Sequence, residues 1–146
     1  MFLRNDYAIY VYTDGNGKQG WGYITVDNKN TIVQEACGRH DANATSEVVE
    51  EKAVMYALKW VSSNMSKMEE LNIFAVILSD CLRLITKVQG RKVEKNWLPS
   101  LNILSSKKDF ELFWMYVPAH AGVTYNERAD ELASLGSTKE TTKTIP

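Results

Sequence analysis

The sequence has few cysteines and no long hydrophobic run. The two cysteines, Cys37 and Cys81, lack the close spacing of zinc ligands and are interpreted as plain thiols. No apolar stretch approaches the roughly 20 residues of a membrane-spanning helix. The N-terminal residues lack the basic region, apolar stretch and cleavage site of a secretory signal. We therefore expect an intracellular protein without a signal peptide and without a membrane partner.

The sequence also has little net charge. Its 17 basic and 18 acidic residues give a formal charge of −1 at pH 7. This balance neither supports nor excludes a polyanionic ligand, because acids that bind metal ions would leave a small positive remainder. The 146 residues, of which 45% are hydrophobic and 24% charged, predict one globular domain over residues 1–146. Residues 137–146 are interpreted as a flexible tail.

Five segments have the pattern of β-strands. Three are apolar runs rich in β-branched and aromatic residues, which predicts strands buried on both faces, at Tyr7–Thr13, Ile73–Leu78 and Leu112–Val117. The segments Gly20–Val26 and Thr31–Cys37 flank a polar turn sequence that is typical of a hairpin. With the first run, this hairpin predicts an antiparallel meander.

Helical spacing of apolar residues predicts four helices. The first three cover residues 46–62, 81–88 and 97–104, and Thr45 or Ser46 is the expected N-cap of the first. The last begins with a capping box formed by Thr124 and Glu127 and ends at Gly136. The order β-β-β-α-β-α-α-β-α predicts an α/β fold with a mixed five-stranded sheet and helices on both faces.

Acidic residues stand directly after two of the predicted strands. Asp14 and Asp80 would be about 5 Å apart if these strands are neighbours, and their carboxylates would repel unless protonated or bridged by a cation. A hard divalent ion with oxygen ligands resolves that repulsion. Glu50 on the first helix and Asp130 on the last helix would each be an ordinary surface acid alone, but together the four form a candidate metal site.

The motifs around these acids are similar to those of a known family. They are Tyr12-Thr13-Asp14-Gly15, the segment Thr45–Glu50, Ser79-Asp80, Val117-Pro118-Ala119-His120 and Asn126–Ala133. They resemble type 1 ribonucleases H, and the VPAH segment is especially similar to the ribonuclease H domains of retroviral and retrotransposon reverse transcriptases. The resemblance extends from about residue 7 to residue 136. It implies a ribonuclease H-like fold and metal-dependent endonucleolytic hydrolysis of the RNA strand of RNA/DNA hybrids, giving 5′-phosphate and 3′-hydroxyl products.

The resemblance also implies roles for individual residues. Two Mg²⁺ ions, or Mn²⁺ as a substitute, would be held by four carboxylates, with Asp14 bridging both ions. Asp130 would serve mainly the ion that activates water, and Glu50 with Asp80 would complete the other. His120 would carry a proton or help the product leave, although without the resemblance it would be interpreted as a surface histidine.

Substrate contacts are expected around the first turn, the start of the first helix and the last helix. The candidates are Asn16, Thr45, Ser46, Glu47 and Asn126. The first three occupy positions at which the family reads RNA 2′-hydroxyl groups. Glu47, one helical turn before Glu50, is expected to face the substrate groove, where its charge would repel phosphates. The basic stretch over residues 87–95 is either a hybrid contact or a solvated face.

Two other functions are considered. A non-catalytic module of the same fold, used for nucleic-acid binding or scaffolding, is disfavoured because all four acids are present. Another nuclease of the fold, such as a resolvase, integrase or proofreading exonuclease, is a second alternative. The exonucleases place two acids one residue apart on the first strand, whereas Asp14 is followed by Gly15 and Asn16. The sequence leaves open whether the chain acts as a monomer or as a domain of a larger reverse-transcriptase polyprotein.

Overall fold

A computed structural model describes residues 8–40, 43–70, 74–89, 112–118 and 122–138. The strands are β1 (Ala8–Gly15), β2 (Gly20–Asp27), β3 (Ile32–Arg39), β4 (Phe74–Ser79) and β5 (Leu112–Tyr116), and the helices are α1 (Ser46–Glu70), α2 (Leu82–Gln89) and α3 (Thr124–Ser137). Each corresponds to a predicted element. The helix predicted over residues 97–104, His120 and residues 139–146 of the predicted tail lie outside the described residues.

The strands form one mixed five-stranded sheet, as predicted. Their order is β3-β2-β1-β4-β5. The β1–β2 and β2–β3 pairs are antiparallel, whereas β1–β4 and β4–β5 are parallel. The central strand β1 therefore has an antiparallel neighbour on one side and a parallel neighbour on the other. This arrangement brings the carboxyl ends of β1 and β4 to the same edge of the sheet.

Helix α1 covers one face of the sheet. Its apolar residues recur at helical spacing, and Val49, Ala53, Ala57 and Val61 are all completely buried in the main core. The helix reaches Glu70 instead of ending near residue 62, because Met68, two turns beyond Val61, is also buried in this core. None of the helices in the described segments is both long and apolar enough to cross a membrane.

Helix α3 covers the opposite face. Ala129 and Leu132 form a second core cluster with Ile24 and Val26 of β2. The predicted helix stop at Gly136 is wrong, because α3 continues to Ser137. Gly136 serves close packing instead: a Cβ atom there would lie 2.8 Å from the backbone nitrogen of Gly38 and closer still to its carbonyl oxygen.

The start of α3 also differs from the prediction. Val123 is the N-cap, in an extended conformation with φ −77° and ψ 106°, and the helix has no side-chain capping hydrogen bond. The capping box of Thr124 and Glu127 is therefore wrong, because Thr124 already belongs to the helix and its hydroxyl is not at the cap position. By contrast, Thr45 precedes α1 as expected, and its Oγ1 accepts a hydrogen bond from the backbone nitrogen of Val48 at 3.4 Å.

Candidate metal centre

Two neighbouring parallel strands bring Asp14 and Asp80 to the same edge of the sheet. The register pairs Thr13 of β1 with Ser79 of β4. Asp14 follows Thr13 and Asp80 follows Ser79, so the two acids stand side by side. The hydroxyl of Thr13, itself buried, donates to the carbonyl oxygen of Leu78 at 3.1 Å. This hydrogen bond ties the two strand ends together immediately before the acids, as the strand-end argument predicted.

Glu50 reaches the same edge because α1 lies very close to the end of β1. A Cβ atom on Gly15 would lie 2.7 Å from the Cα of Glu50 and closer still to its backbone nitrogen. A side chain at Gly15 would therefore push the helix away from the strand. With glycine there, carboxylate oxygens of Asp14, Glu50 and Asp80 all lie within 4.8 Å of one another.

Asp130 approaches the cluster from the other face of the sheet. Its carboxyl group lies close enough to that of Asp14 to raise the pKa of Asp14. Helix α3, which carries Asp130, is tied to β3 by a bidentate ion pair in which Arg128 Nε and Nη2 donate to Glu35 at 2.8 and 3.1 Å. The structure thus brings together all four predicted carboxylates, from two strand ends and from one helix on each face.

Burial and mutual repulsion determine the protonation of the cluster. Burial, with the nearby carboxyl groups of Asp80, Asp130 and Glu50, raises the pKa of Asp14 to about 9. Burial also raises the pKa of Glu50 to about 7, and the charge of Asp80 contributes. The repulsion within such a group of acids is relieved either by protons or by cations. Its donors are all carboxylate oxygens, which suit a hard divalent cation such as Mg²⁺ or Mn²⁺.

Two further side chains lie against the carboxylates. Asn126 is 2% exposed, and its Nδ2 donates to Asp80 Oδ2 at 3.4 Å. Its Oδ1 is buried without a hydrogen-bond partner in the described parts of the chain. The half-buried thiol of Cys81, which the sequence analysis interpreted as a plain thiol, lies close enough to Glu50 to affect the pKa of that carboxyl group. Its position directly after Asp80 was the signal that could have identified it as a neighbour.

The substrate candidates near β1 and α1 have local structural partners. Asn16 Oδ1 accepts hydrogen bonds from the backbone nitrogens of Lys18 and Gly20 at 2.9 and 3.0 Å, which closes the β1–β2 turn. Gln19, which sequence reasoning missed, bonds through its side-chain amide to both backbone groups of Ala44 at 2.7 and 3.0 Å. This pair of bonds links the turn to the segment that leads into α1, where Thr45 and Ser46 are exposed.

Glu47 lies where α1 meets α2. Its Oε2 accepts a hydrogen bond from Arg83 Nη1 at 2.7 Å, a partner that the sequence analysis did not anticipate. One turn further along both helices, Lys87 Nζ contacts Glu51 Oε1 at 2.6 Å. The charge of Glu47 is therefore compensated by an arginine.

Sequence comparison identifies the family. The ribonuclease H family model matches residues 6–138. The ribonuclease H of Ehrlichia chaffeensis is 33% identical over 141 residues, covering 86% of this chain and 91% of that protein. The ribonuclease H of Ruegeria pomeroyi is 30% identical over 146 residues, covering 88% of this chain and 91% of that protein. The chain belongs to the ribonuclease H family, as its motifs predicted.

Solved structures with low sequence identity share the fold. The N-terminal ribonuclease H domain of a Mycobacterium tuberculosis protein has a TM-score of 0.69 at 19% identity, covering 90% of this chain and 94% of that chain. LC11 ribonuclease H1, solved in complex with an RNA/DNA hybrid, has a TM-score of 0.66 at 20% identity, covering 89% and 95%. These likenesses confirm the predicted ribonuclease H-like fold.

Proposed function

We propose that this member of the ribonuclease H family hydrolyses the RNA strand of RNA/DNA hybrids and leaves 5′-phosphate and 3′-hydroxyl ends. The observation that carries the proposal is the cluster of Asp14, Glu50 and Asp80, with oxygens within 4.8 Å of one another, and the carboxyl group of Asp130 close enough to raise the pKa of Asp14. Relatives from two bacteria are ribonucleases H, and LC11 ribonuclease H1 binds a hybrid. All four acids belong to one chain, which supports activity as a monomer.

The four carboxylates would hold two Mg²⁺ ions, with Mn²⁺ as a substitute. Asp14 interacts with each of the other three acids, which suits a ligand shared by both ions. Asp130 would complete one ion site, and Glu50 with Asp80 the other. When bound, the two ions would activate the attacking water and neutralise the departing 3′-oxygen during in-line displacement at phosphorus.

Other side chains of this chain would position the reacting groups. The amide of Asn126 donates to Asp80 and so restricts the orientation of that carboxylate. Thr45 and Ser46 are exposed at the start of α1, and their hydroxyls can donate to or accept from a ribose 2′-hydroxyl. Asn16 stays a predicted neighbour of the RNA. His120 remains a predicted proton carrier.

Single amide substitutions test the metal centre. Asp14→Asn, Glu50→Gln, Asp80→Asn and Asp130→Asn each remove one charged ligand and nearly preserve its shape, so each should lower Mg²⁺-dependent cleavage by orders of magnitude. Cleavage is measured on a labelled RNA/DNA hybrid, with double-stranded RNA and double-stranded DNA as comparison substrates, and circular dichroism verifies folding.

Glu131→Gln is the matched control. Glu131 follows Asp130 directly on α3, but its side chain is 66% exposed, so its amide variant should cleave like the wild type. Near-normal cleavage by any of the four site variants would remove that residue from the centre. Hybrid binding without cleavage by the wild-type chain would instead favour the non-catalytic module.

A further inference from the structure

Two ion pairs connect α1 to α2, and they differ in exposure. In the outer pair, the side chain of Arg83 is 77% exposed and that of Glu47 is 36% exposed. In the inner pair, the corresponding values are 32% for Lys87 and 6% for Glu51. The buried carboxylate of Glu51 needs its partner, because an unpaired buried charge is strongly destabilising. The outer pair lies in solvent, where an ion pair contributes little to stability.

The outer pair borders the metal centre. Glu47 precedes Glu50 by one turn of α1, and Arg83 follows Asp80 by three residues at the start of α2. Cys81, which stands between Asp80 and Arg83 in the sequence, interacts electrostatically with both Glu50 and Glu47. The pair is therefore at the edge of the carboxylate cluster that would receive the nucleic acid.

We propose that Arg83 binds a backbone phosphate of the hybrid beside the metal centre, and that Glu47 holds its guanidinium until the nucleic acid arrives. This inference rests on the proposed function of the site. A guanidinium binds phosphate with the same paired donors that it offers to a carboxylate. Since both partners of the pair are solvated, exchanging the carboxylate for a phosphate loses little. A cation here also offsets the repulsion between phosphates and the nearby acids.

The exchange predicts different effects for the two partners. Arg83→Gln should weaken hybrid binding several-fold and lower the slope of log affinity against log salt by about one, as expected for one lost phosphate contact. Glu47→Gln should strengthen binding several-fold, because Arg83 is then available to the phosphate. In the double variant, most of the gain from Glu47→Gln should disappear. Arg83→Lys should retain the salt slope, because the cation remains.

The test measures hybrid affinity by fluorescence anisotropy over a salt series in EDTA, where metal-dependent cleavage cannot interfere. Steady-state cleavage in Mg²⁺ then measures KM and kcat separately. Arg83→Gln should raise KM and change kcat little. Lys59→Gln is the charge control, because Lys59 is exposed on α1 and lies twelve residues beyond Glu47, about 18 Å along the helix. It should retain the wild-type affinity and salt slope.

Two results would contradict the proposal that Arg83 exchanges Glu47 for a phosphate of the hybrid. One is Arg83→Gln with wild-type affinity and slope but a lower melting temperature, which would make the pair a connection between helices only. The other is an equal gain from Glu47→Gln with and without Arg83, which would mean that Glu47 repels phosphates directly. Because binding is measured in EDTA, an absence of cleavage by the wild type would reject the proposed enzyme without deciding the exchange.

Discussion

Among the four carboxylates of the centre, Asp14 is the one that is buried, at 5% exposure. Its pKa of about 9 and the pKa of about 7 for Glu50 mean that, without metal ions at pH 7, Asp14 is protonated and Glu50 is about half protonated. A metal ion requires the ionised form of its carboxylate ligands. Metal binding at the proposed centre should therefore be coupled to proton release.

Calorimetry can measure this coupling. Titration of Mg²⁺ at pH 7 should release about one to two protons, so the observed heat should depend on the ionisation enthalpy of the buffer. Mg²⁺ affinity should rise from pH 6 to pH 9 as both acids ionise. Asp14→Asn should release about one proton fewer. Heats that are identical in all buffers would contradict the coupling.

The same two acids affect the stability of the metal-free protein. Their pKa values in the fold are raised above those of the unfolded chain, so their contribution is fully present below about pH 4. It is lost as the pH rises through about 7 for Glu50 and about 9 for Asp14. In EDTA, the melting temperature should fall from pH 5 to pH 9, and less steeply in Asp14→Asn.

Individual residues differ in how far the sequence could predict them. Asp14 and Asp80 were predictable as a pair because each stands at the end of a strand, whereas Glu50 and Asp130 became candidates only through the set of four and its family resemblance. Two ion pairs were not predictable because their partners are far apart in sequence. Arg83 and Glu47 are separated by 36 residues, and Arg128 and Glu35 by 93 residues. Such pairs exist only after the elements have packed against one another.

At the scale of elements, the predicted types were correct and several ends were not. The last two turns of α1 are mainly polar, so the buried anchor Met68 could not be distinguished from a loop residue by periodicity. Glycine commonly follows the end of a helix, but Gly136 lies inside α3, where it packs closely against Gly38. Tertiary contacts, which no local pattern encodes, determined both ends.

The contact between β1 and α1 can be tested at Gly15. Gly15→Ala would force a Cβ atom against the backbone of Glu50, 2.7 Å from its Cα, so either the helix or the strand must shift. We expect a loss of about 1–3 kcal/mol in the free energy of unfolding, the usual range for overpacking. The Mg²⁺ concentration for half-maximal cleavage should rise as well, because Glu50 moves away from Asp14.

Gly17→Ala is the matched control in the same turn. A Cβ atom there would have nothing within 4 Å, so both stability and Mg²⁺ requirement should stay near wild type. Denaturant unfolding and cleavage at graded Mg²⁺ concentrations compare the two variants. Equal behaviour would mean that close approach at Gly15 is not what positions Glu50.

At the scale of the whole molecule, the centre joins all layers of the described fold. Asp14 and Asp80 belong to the sheet, Glu50 to the helix on one face and Asp130 to the helix on the other. The sequence predicted the layers from the order of elements, but it could not give the register that pairs Thr13 with Ser79. Side-chain alternation in strands buried on both faces leaves register unspecified.

Because the proposed ligands come from every layer, metal binding should stabilise the fold as a unit. A ligand that binds only the folded state adds about 2.7 kcal/mol at one hundred times its dissociation constant, so Mg²⁺ should raise the melting temperature in a concentration-dependent way. Hydrogen exchange should slow together in β1, β4, α1 and α3. Asp130→Asn should weaken this response, whereas Glu131→Gln should retain it. Protection confined to the two strands would show that the helices do not contribute ligands, and the four-carboxylate centre would then be wrong.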